Sequence, residues 1–479
     1  MEDVLLSGSL ATIRDAIATR QVSAAEVTQF YLRRIEAIDV AGPALNAVRT
    51  VASDVLEVAR ERDAELAAGR VRGPLHGIPV LIKDNILTGD GMPASAGAAA
   101  LAAFVPSRDA TIVRRLREAG AVILGKTNLT EFADYVSDVM PSGFSGAGGT
   151  VKNPHTKEGY GRGLGSSVGS AAAVAAALAP VAIGSETQNS IQTPASVSSV
   201  YGFKPSVGVA SRAGIVPLVP SQDSPGPLAR SVADAALLLS VIAGADPNDG
   251  ATLELALTSS LVLCPRDPKS IRIGVPRRTI ADRPDLAGVM PAFEAVLSEL
   301  AKAGMTLVDP CDLPAAEQLQ EVRSCVFRTE FKAALDAFLR DHDHPCGIES
   351  MAGLIAWNEQ HPDTIPFGQS LLQAAVATKG LSDPAYIADR RRDIVLSRDA
   401  GIDGALKFSG ADALIAPMGA AAKTTGKAGA PVLAIPVGAD GAGAPFGITL
   451  FASRGSDAAL LDVGATVAGI VGRRVMPGL

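Results

Sequence analysis

Serines that could act as nucleophiles stand in the glycine-rich stretch GRGLGSSVGSAAAVAAALAP, residues 161–180. Residues 165–169 match the pattern GxSxG, which would make Ser167 the nucleophile of an α/β-hydrolase such as an esterase. That nucleophile stands between a strand and a helix and needs a histidine base. An alanine-rich helix follows this stretch, but the residues before it do not have the pattern of a strand, so this interpretation has little support.

Two nucleotide-binding patterns also occur. GAVILGKT (120–127) matches the phosphate loop GxxxxGK[ST]. The central residues of such a loop must turn their N–H groups toward phosphate, whereas Ala-Val-Ile-Leu has the pattern of a buried strand. The glycines of residues 161–165 partly match a dinucleotide-binding loop, which needs a strand directly before it. We therefore predict neither a nucleotide-binding loop nor a nicotinamide cofactor.

The five histidines offer few candidates for a base or a metal ligand. His342, His344 and His361 lie in a polar region that is predicted to be exposed, and His76, beside an apolar run, is predicted to be structural. His342 and His344 could be two metal ligands, but no third ligand follows at a recognisable spacing. No metal site is predicted.

Serine chemistry is also possible with a lysine as base. Lys83 ends the apolar run IPVLI, where partial removal from water would favour its neutral form. A surface lysine whose stem lies along apolar residues is the alternative, and the local sequence alone favours it. Ser190 follows Thr-Gln-Asn in a hydroxyl-rich turn whose N–H groups could form an oxyanion hole, although an ordinary capped turn has the same pattern.

Short apolar runs alternate with amphipathic segments along most of the chain. This pattern predicts helices over residues 23–38, 109–120, 170–180, 230–244, 289–304 and 456–470, and strands over 76–85, 121–125, 181–184, 271–275, 430–438 and 446–453. The Ala/Gly-rich stretches 94–103, 419–430 and 439–444 are predicted to be loops. The alternation favours an α/β protein whose sheet is covered by helices on both faces.

One large domain, residues 1–479, is the predicted organisation. N-terminal helices over 1–70 precede a central region, 71–245. A more variable, largely helical insertion covers 311–410 and also takes in 245–270. No internal repeat and no stretch with the composition of a linker divides the chain.

The composition excludes several classes of protein. The chain has 479 residues, of which 47% are hydrophobic, so it can bury a large core. Its net charge is −7 without a basic run, which argues against nucleic acid as a partner. The four cysteines are widely spaced, as is typical of reduced thiols. No signal peptide or membrane span is recognised, so we predict a cytoplasmic monomer or homodimer without a membrane partner.

Four successive segments resemble the amidase signature family. They are PLHGIPVLIKDN (74–85), ATIVRRLREAGAVILGKTNLTEFA (110–133), GLGSSVGSAAAVAAALAPVAIGSETQNSIQTPASVSSVYGFKPSVG (163–208) and SQDSPGPLARSVADAALLL (221–239). They run in family order, and DPAYIADRRR (383–392) and IDGALKFSGADALIAPM (402–418) are similar to the bacterial peptide amidase branch. The resemblance implies the amidase signature fold, a large mixed, twisted sheet covered by helices on both faces.

The resemblance also implies a Ser–cis-Ser–Lys triad that needs no metal or cofactor. Ser190 would be the nucleophile, Ser166 the relay serine after a cis peptide bond, and Lys83 the base. Ser167 would support this network. The oxyanion would be received by the backbone N–H groups of Thr187, Gln188, Asn189 and Ser190. The implied reaction is hydrolysis of a linear C–N bond of amide type through a serine acyl-enzyme.

The chain departs from the usual family pattern at several positions. Leu164 and Val168 stand where glycines are common, and so do Gln188 and Asn189 in the nucleophile turn. If the residue before the nucleophile needs a positive φ, asparagine is the best substitute for glycine. Many relatives carry arginine where this chain has Gln192. Because a cationic contact for an acidic substrate is then missing there, we expect a neutral or mostly apolar acyl group.

Substrate choice is expected to depend on the loop 135–149 and on the helical region 311–410. Peptide amides, aryl amides, esters and carbamates (urethanes) all contain the required carbonyl. Three alternatives stay open: the glutaminase-type subunit of a tRNA-dependent amidotransferase, a catalytically inactive binding protein, and a GxSxG esterase that uses Ser167. Gln192 and the C-terminal part argue against the first, and the intact triad residues argue against the second.

Overall fold

The computed structural model describes residues 1–255 and 261–479. The helices are α1 (Glu2–Ser7), α2 (Leu10–Ala18), α3 (Ala24–Arg34), α4 (Val55–Ala67), α5 (Thr111–Glu118), α6 (Val168–Ala175), α7 (Gln192–Val197), α8 (Val232–Ile242), α9 (Arg277–Ala281), α10 (Met290–Lys302), α11 (Ala316–Glu321), α12 (Val326–Asp341), α13 (Met351–Gln360), α14 (Ser370–Val376), α15 (Pro384–Ile394), α16 (Asp403–Ser409), α17 (Ala422–Ala428) and α18 (Asp457–Val471). Among the described residues, no helix has both the length and the apolar character that crossing a bilayer requires.

The strands form one large sheet and one small hairpin. They are β1 (Val48–Val51), β2 (Pro79–Lys83), β3 (Val122–Thr127), β4 (Phe144–Ser145), β5 (Gly149–Thr150), β6 (Val181–Glu186), β7 (Tyr201–Lys204), β8 (Ser224–Ala229), β9 (Arg272–Gly274), β10 (Thr306–Val308), β11 (Ala413–Pro417), β12 (Val432–Ala439) and β13 (Pro445–Phe451). The large sheet has 11 strands in the order β1-β3-β2-β6-β8-β7-β12-β13-β11-β9-β10, and β4 pairs with β5.

The large sheet is mixed and buried on both faces. Strand β2 is parallel to β3 and β6, whereas the central strands from β6 to β11 pair in antiparallel fashion. Every residue of β3, β6, β7, β8 and β11 is buried. Because successive side chains of a strand point to opposite faces, both faces must be covered. This confirms the predicted α/β fold with a large mixed sheet.

Local sequence signals explain several of these elements. Ser23 begins α3 as predicted: its Oγ accepts a hydrogen bond from Glu26 N, and the Glu26 carboxylate accepts one from Ser23 N, which together make a capping box. The false phosphate loop is strand β3, as its apolar residues predicted. Its Lys126 is fully buried and donates a hydrogen bond to the Ile86 carbonyl.

The structure differs from the sequence prediction in three places. The N-terminal region, predicted as helices, also contains β1, which pairs with β3 at the edge of the sheet. The predicted loop 419–430 contains α17, whose alanines and lysines are good helix formers. Residues 245–270, predicted as largely helical, hold only short 3₁₀ turns where described, and residues 256–260 of this stretch lie outside the described residues.

Helices α12–α14 pack beside the region where the predicted site residues lie. Their buried side chains Phe331, Leu335, Leu354 and Leu372 form a second hydrophobic cluster with residues 132–140 and 216–219. Tyr135 contacts Phe327 and Phe331, with ring centroids 4.5 and 5.6 Å apart. The helical region 311–410 therefore packs on the segment that follows β3 and on the segment that precedes β8.

Candidate active site

Three segments that carry the predicted site residues meet at one edge of the sheet. Lys83 is the last residue of β2, and Ser190 lies just beyond the end of β6. Because β2 and β6 are parallel neighbours, their C-terminal ends lie at the same edge. Ser166 and Ser167 precede α6, and the Ser167 N–H donates to the Ser190 carbonyl at 3.0 Å. The structure thus brings the lysine and the three serines together.

Lys83 is completely buried and has three close partners. Its Nζ lies 2.8 Å from Ser166 Oγ, 3.0 Å from Ser185 Oγ and 3.2 Å from the Ser185 carbonyl oxygen. A neutral amine has two N–H donors and one lone pair. The two donors can serve the Ser185 oxygens while the lone pair accepts the Ser166 hydroxyl, so the surroundings suit the uncharged form.

Burial lowers the pKa of Lys83 from 10.5 to about 7. Asp223, Glu186 and Asp134 raise it, but by less than removal from water lowers it. A considerable fraction of Lys83 is therefore neutral at pH 7. The interpretation of Lys83 as a surface lysine is wrong, because the packed sheet and its covering helices enclose this end of β2.

The peptide bond between Gly165 and Ser166 is cis. The Ser166 carbonyl accepts a hydrogen bond from Thr130 N at 3.1 Å, and a Cβ at position 165 would lie 2.5 Å from Thr130 Oγ1. Only glycine fits there, although Leu164 and Val168 replace other glycines of the usual pattern. Among the described residues, Ser166 Oγ is hydrogen-bonded to Lys83 Nζ and not to Ser190 Oγ.

The Ser167 hydroxyl is buried and bonded to Ser185. It donates to the Ser185 carbonyl at 3.0 Å and accepts from Ser185 N at 3.2 Å. In the described part of the chain Ser167 has no histidine partner. The ring nitrogens of His342, His344 and His361 instead contact backbone carbonyls of residues 338–357. The interpretation of Ser167 as the nucleophile of a GxSxG hydrolase therefore lacks the histidine base that it requires.

The turn after β6 offers free backbone donors. Across residues 1–255 and 261–479, no protein atom accepts a hydrogen bond from the backbone N–H groups of Thr187, Gln188, Asn189 or Ser190. Neither Gln188 nor Asn189 has a positive φ. The loss of glycine at these two positions therefore causes no backbone strain, and asparagine is not needed there for a left-handed conformation.

The side chains of the turn tie it to neighbouring loops. Asn189 Nδ2 donates to the Gly163 carbonyl at 2.8 Å, and Thr187 Oγ1 donates to Asp223 at 2.6 Å. Gln188 Nε2 donates to Gln222 at 3.1 Å. These bonds connect the Ser190 turn with the loop before Ser166 and with the segment before β8. Gln188 and Asn189, the two non-glycine residues, therefore hold the turn against its neighbours.

Gln192 points into the protein and not toward a substrate. It is 1% exposed, and its Nε2 lies 2.6 Å from Glu186 Oε1 and 2.7 Å from the Gln188 carbonyl. Glu186 also accepts the backbone N–H groups of Ile191 and Gln192. Burial raises the pKa of Glu186, while Lys204 and these donors lower it. Gln192 lines none of the cavities beside the turn, so the residue type at this position gives no support for a neutral acyl group, which stays a prediction.

Replacing Gln192 with leucine is expected to lower kcat about tenfold with little change in KM. The change removes two hydrogen bonds that hold the Gln188 carbonyl and the Glu186 carboxylate, each of which contributes about 1 kcal/mol. Steady-state kinetics of Gln192→Leu test this, with Gln318→Leu on the exposed side of α11 as the matched control. A rise in KM at unchanged kcat would instead mean that Gln192 touches the substrate.

An inner cavity of about 200 Å³ adjoins the site. Ser185 and Thr187 line its end at β6, and the other walls are Ala133, Ala213, Ile215, Val216, Pro217, Leu218 and the Arg212–Asp249 ion pair among others. Most of the surface next to the turn is thus apolar. Arg212 and Asp249 neutralise each other, and Asp223 is a third ionisable side chain of the wall, whose pKa is raised by burial. The segment 212–218 forms this wall, and the sequence analysis did not assign it to the site.

Asn85, Ser185 and Asp223 are further polar residues of the site that sequence reasoning missed. Asn85 Nδ2 and Lys83 Nζ both lie 3.0 Å from Ser185 Oγ. Asp223 accepts from Thr187 Oγ1 and from the backbone of residues 218 and 219. All three stand inside the segments that carry the family resemblance, so their presence was visible, but only the fold brings them together.

Comparisons with known proteins point to one family. The family model Amidase matches residues 26–428. A probable amidase of Arabidopsis thaliana is 34% identical over 95% of this chain and 88% of its own length. The crystal structure of native peptide amidase from Stenotrophomonas maltophilia is 40% identical and covers 98% of both chains with a TM-score of 0.90.

A component of the glutamyl-tRNA(Gln) amidotransferase of Salinispora arenicola is similar over a shorter stretch. It is 40% identical over 310 residues, which is 64% of this chain and 61% of that protein. The similarity to the peptide amidase and to the Arabidopsis protein extends over nearly the whole chain. The chain therefore belongs to the amidase signature family, whose members hydrolyse amides, and it is similar to bacterial peptide amidase along nearly its whole length.

Proposed function

We propose that this protein hydrolyses a linear C–N amide bond through an acyl-enzyme on Ser190, with Ser166 as proton relay and Lys83 as base. The observation that carries the proposal is the completely buried Lys83 amine, 2.8 Å from Ser166 Oγ. A lysine that is neutral near pH 7 can accept a proton, which an exposed lysine cannot do at that pH.

In the first step, Ser190 Oγ attacks the carbonyl carbon of the substrate. Its proton passes to Ser166 Oγ while the Ser166 proton passes to Lys83 Nζ, so the amine becomes charged and the tetrahedral intermediate carries the negative oxygen. The relay requires a hydrogen bond between Ser166 and Ser190 to form when substrate binds. Catalytic hydrogen bonds are often long in unliganded enzymes, so the geometry of the free site does not oppose this step.

The negative oxygen needs preorganised donors. The unpaired N–H groups of Thr187, Gln188, Asn189 and Ser190 supply them without first breaking another hydrogen bond. When the C–N bond breaks, the proton returns from Lys83 through Ser166 to the leaving nitrogen. Water then attacks the ester on Ser190 by the same proton route, which releases the acid and restores the serine.

The inner cavity supports a neutral or mostly apolar acyl group. Ile215, Val216 and Leu218 line it, and its Arg212 is paired with Asp249. Its other carboxylate, Asp223, accepts hydrogen bonds from Thr187 Oγ1 and from the backbone of residues 218 and 219. Binding an apolar side chain against this wall is favourable because apolar surface leaves water, whereas a charged side chain would be buried without a partner. Peptide amides that end in an apolar residue are therefore the substrates we favour, and aryl amides, esters and carbamates follow because they have the same carbonyl.

A panel of substrates tests the proposed function. We expect the purified chain, without any added protein, to release ammonia from the amide of an N-acetylated apolar amino acid and to cleave an aryl amide or ester of the same acyl group. Release of ammonia from free glutamine only, and only with a partner protein, would favour the amidotransferase glutaminase. Binding of the amides without turnover would indicate an inactive member of the family.

We also propose that the chain forms one amidase domain that works in the cytoplasm as a monomer or homodimer. One sheet takes strands from β1 to β13, which supports a single domain for residues 1–479. All four cysteines are free thiols, as is typical of a reducing compartment. A mass measurement in solution would distinguish a monomer or homodimer from a larger assembly.

A further inference from the structure

Two adjoining clefts lie beside the Ser190 turn, and we call them together the basic mouth. They have volumes of about 710 and 510 Å³, and both are lined by Gln188, the first also by Asn189. Five cationic side chains line them: Arg283, Arg323, Arg328, Lys423 and Lys427. Only two carboxylates, Asp282 and Asp393, line the same walls in the described part of the chain. The mouth is therefore positive on a protein whose net charge is −7.

Within the described residues, three of the five cations have no carboxylate partner. Arg283 pairs with Asp285 and Lys427 with Asp393, each at 2.7 Å. Among residues 1–255 and 261–479, Arg323, Arg328 and Lys423 form no ion pair, and all three are exposed. They come from separate elements: Arg323 precedes α12, Arg328 lies in its first turn and Lys423 lies in α17. An anion that enters the mouth would therefore meet three cations that form no ion pair within the described residues.

The turn divides the basic mouth from the inner cavity. Ser185 and Thr187 line the cavity, whereas Gln188 and Asn189 line the mouth. An acyl group attacked by Ser190 can therefore place its last side chain in the apolar cavity while the preceding part of the chain lies in the mouth. Leu319, Val322 and Phe327 also line the mouth and offer apolar contacts to such a chain.

We infer that the basic mouth selects substrates with a carboxylate in the part of the acyl group that precedes the scissile carbonyl, such as peptide amides with an acidic residue before an apolar last residue. Arg323, Arg328 and Lys423 are the residues that determine this specificity. The inference rests on the proposed hydrolase function. It adds a preference for charge that Gln192, which faces inward, cannot provide.

Three N-acetylated dipeptide amides test the inference. All end in leucine amide, and the residue before it is glutamate, glutamine or lysine. We expect kcat/KM to be about tenfold higher for the glutamate substrate than for the glutamine substrate at low ionic strength, because a single exposed ion pair contributes up to about a fivefold effect and three cations act together. The ratio of kcat/KM for the glutamate substrate to that for the glutamine substrate should fall to about 1 at 1 M salt, where charges are screened beyond ~3 Å.

Charge changes in the mouth identify the residues. Arg323→Gln combined with Lys423→Gln should lower the glutamate-to-glutamine ratio about fivefold, and Lys423→Glu, which removes the same amount of positive charge, should lower it by a similar factor. Lys407→Gln, an exposed lysine of α16 outside the mouth, is the matched control and should leave the ratio unchanged. Equal hydrolysis of the three peptide amides by the unchanged protein would overturn the inference and leave the hydrolase proposal standing. Hydrolysis of none of them, nor of a simple aryl amide, would overturn the proposed function itself.

Discussion

Replacing Ser190 with alanine is expected to lower kcat for amide hydrolysis by at least about 10⁴-fold, because the acyl-enzyme cannot form without the nucleophile. The Ser190 hydroxyl makes no hydrogen bond within the described residues, so the variant should unfold at nearly the same temperature as the unchanged protein. Burst and steady-state kinetics with an aryl amide, together with a thermal unfolding curve, measure both effects.

Substitutions of two other serines distinguish the proposed nucleophile from a residue that only supports the site. Ser167→Ala should reduce kcat about tenfold, because it removes the hydroxyl that bonds with Ser185, a neighbour of Lys83. Ser240→Ala in α8, where the hydroxyl only bonds the Leu237 carbonyl, should have no effect on kcat. Loss of all activity in Ser167→Ala, with activity kept in Ser190→Ala, would contradict the proposed mechanism and favour Ser167 as the nucleophile of a GxSxG hydrolase.

Replacing Lys83 with methionine is expected to lower kcat about 10³-fold, since general-base catalysis contributes between about 10² and 10⁴. Methionine fills a similar space and carries no charge, so the buried site does not have to hold a cation. In the unchanged protein, kcat/KM should rise tenfold per pH unit below about pH 7 and level off above it, because only neutral Lys83 accepts the proton. A profile that is flat between pH 5 and 9 would contradict the role of Lys83.

The same pKa has a consequence for stability. The pKa of Lys83 is about 7 in the folded protein and 10.5 in the unfolded chain, so the unfolded state binds more protons between these values. The free energy of unfolding should therefore rise with pH from 7 to 10.5 in the unchanged protein relative to Lys83→Met, and the difference should stay constant below pH 7. Denaturant unfolding of both proteins at pH 6, 8 and 10 measures it.

The resemblance to the amidase signature family supplied the candidate residues, whereas local patterns alone did not. Lys83 by itself looked like a surface lysine, because a lysine at the end of an apolar strand is usually exposed. The strand order explains why Lys83 is buried. Strand β2 lies between β3 and β6 inside the large sheet, and the loop before α6 contacts its end. Such a neighbourhood depends on contacts between residues 83, 166 and 185, which no local pattern contains.

The walls of the cavities beside the Ser190 turn could be predicted from the sequence only in part. The helical region 311–410 was expected to matter, and it supplies Arg323 and Arg328 of the basic mouth. Lys423 was placed in a loop but lies in α17, and the wall 212–218 was not recognised because it has neither regular structure nor a motif. The inward direction of Gln192 was not predicted, because the direction of a side chain at the start of α7 cannot be inferred from its distance to Ser190 along the chain.

Labelling with a fluorophosphonate, followed by mass-spectrometric mapping of the modified residue, tests the proposed nucleophile most directly. The reagent bonds to activated serines and copies the tetrahedral intermediate, so it requires both the nucleophile and its activation. We predict a single adduct on Ser190 that forms far more slowly in Lys83→Met and keeps its rate in Ser240→Ala. An adduct on Ser167, or one on Ser190 that forms equally fast without Lys83, would contradict the Ser190–Ser166–Lys83 mechanism.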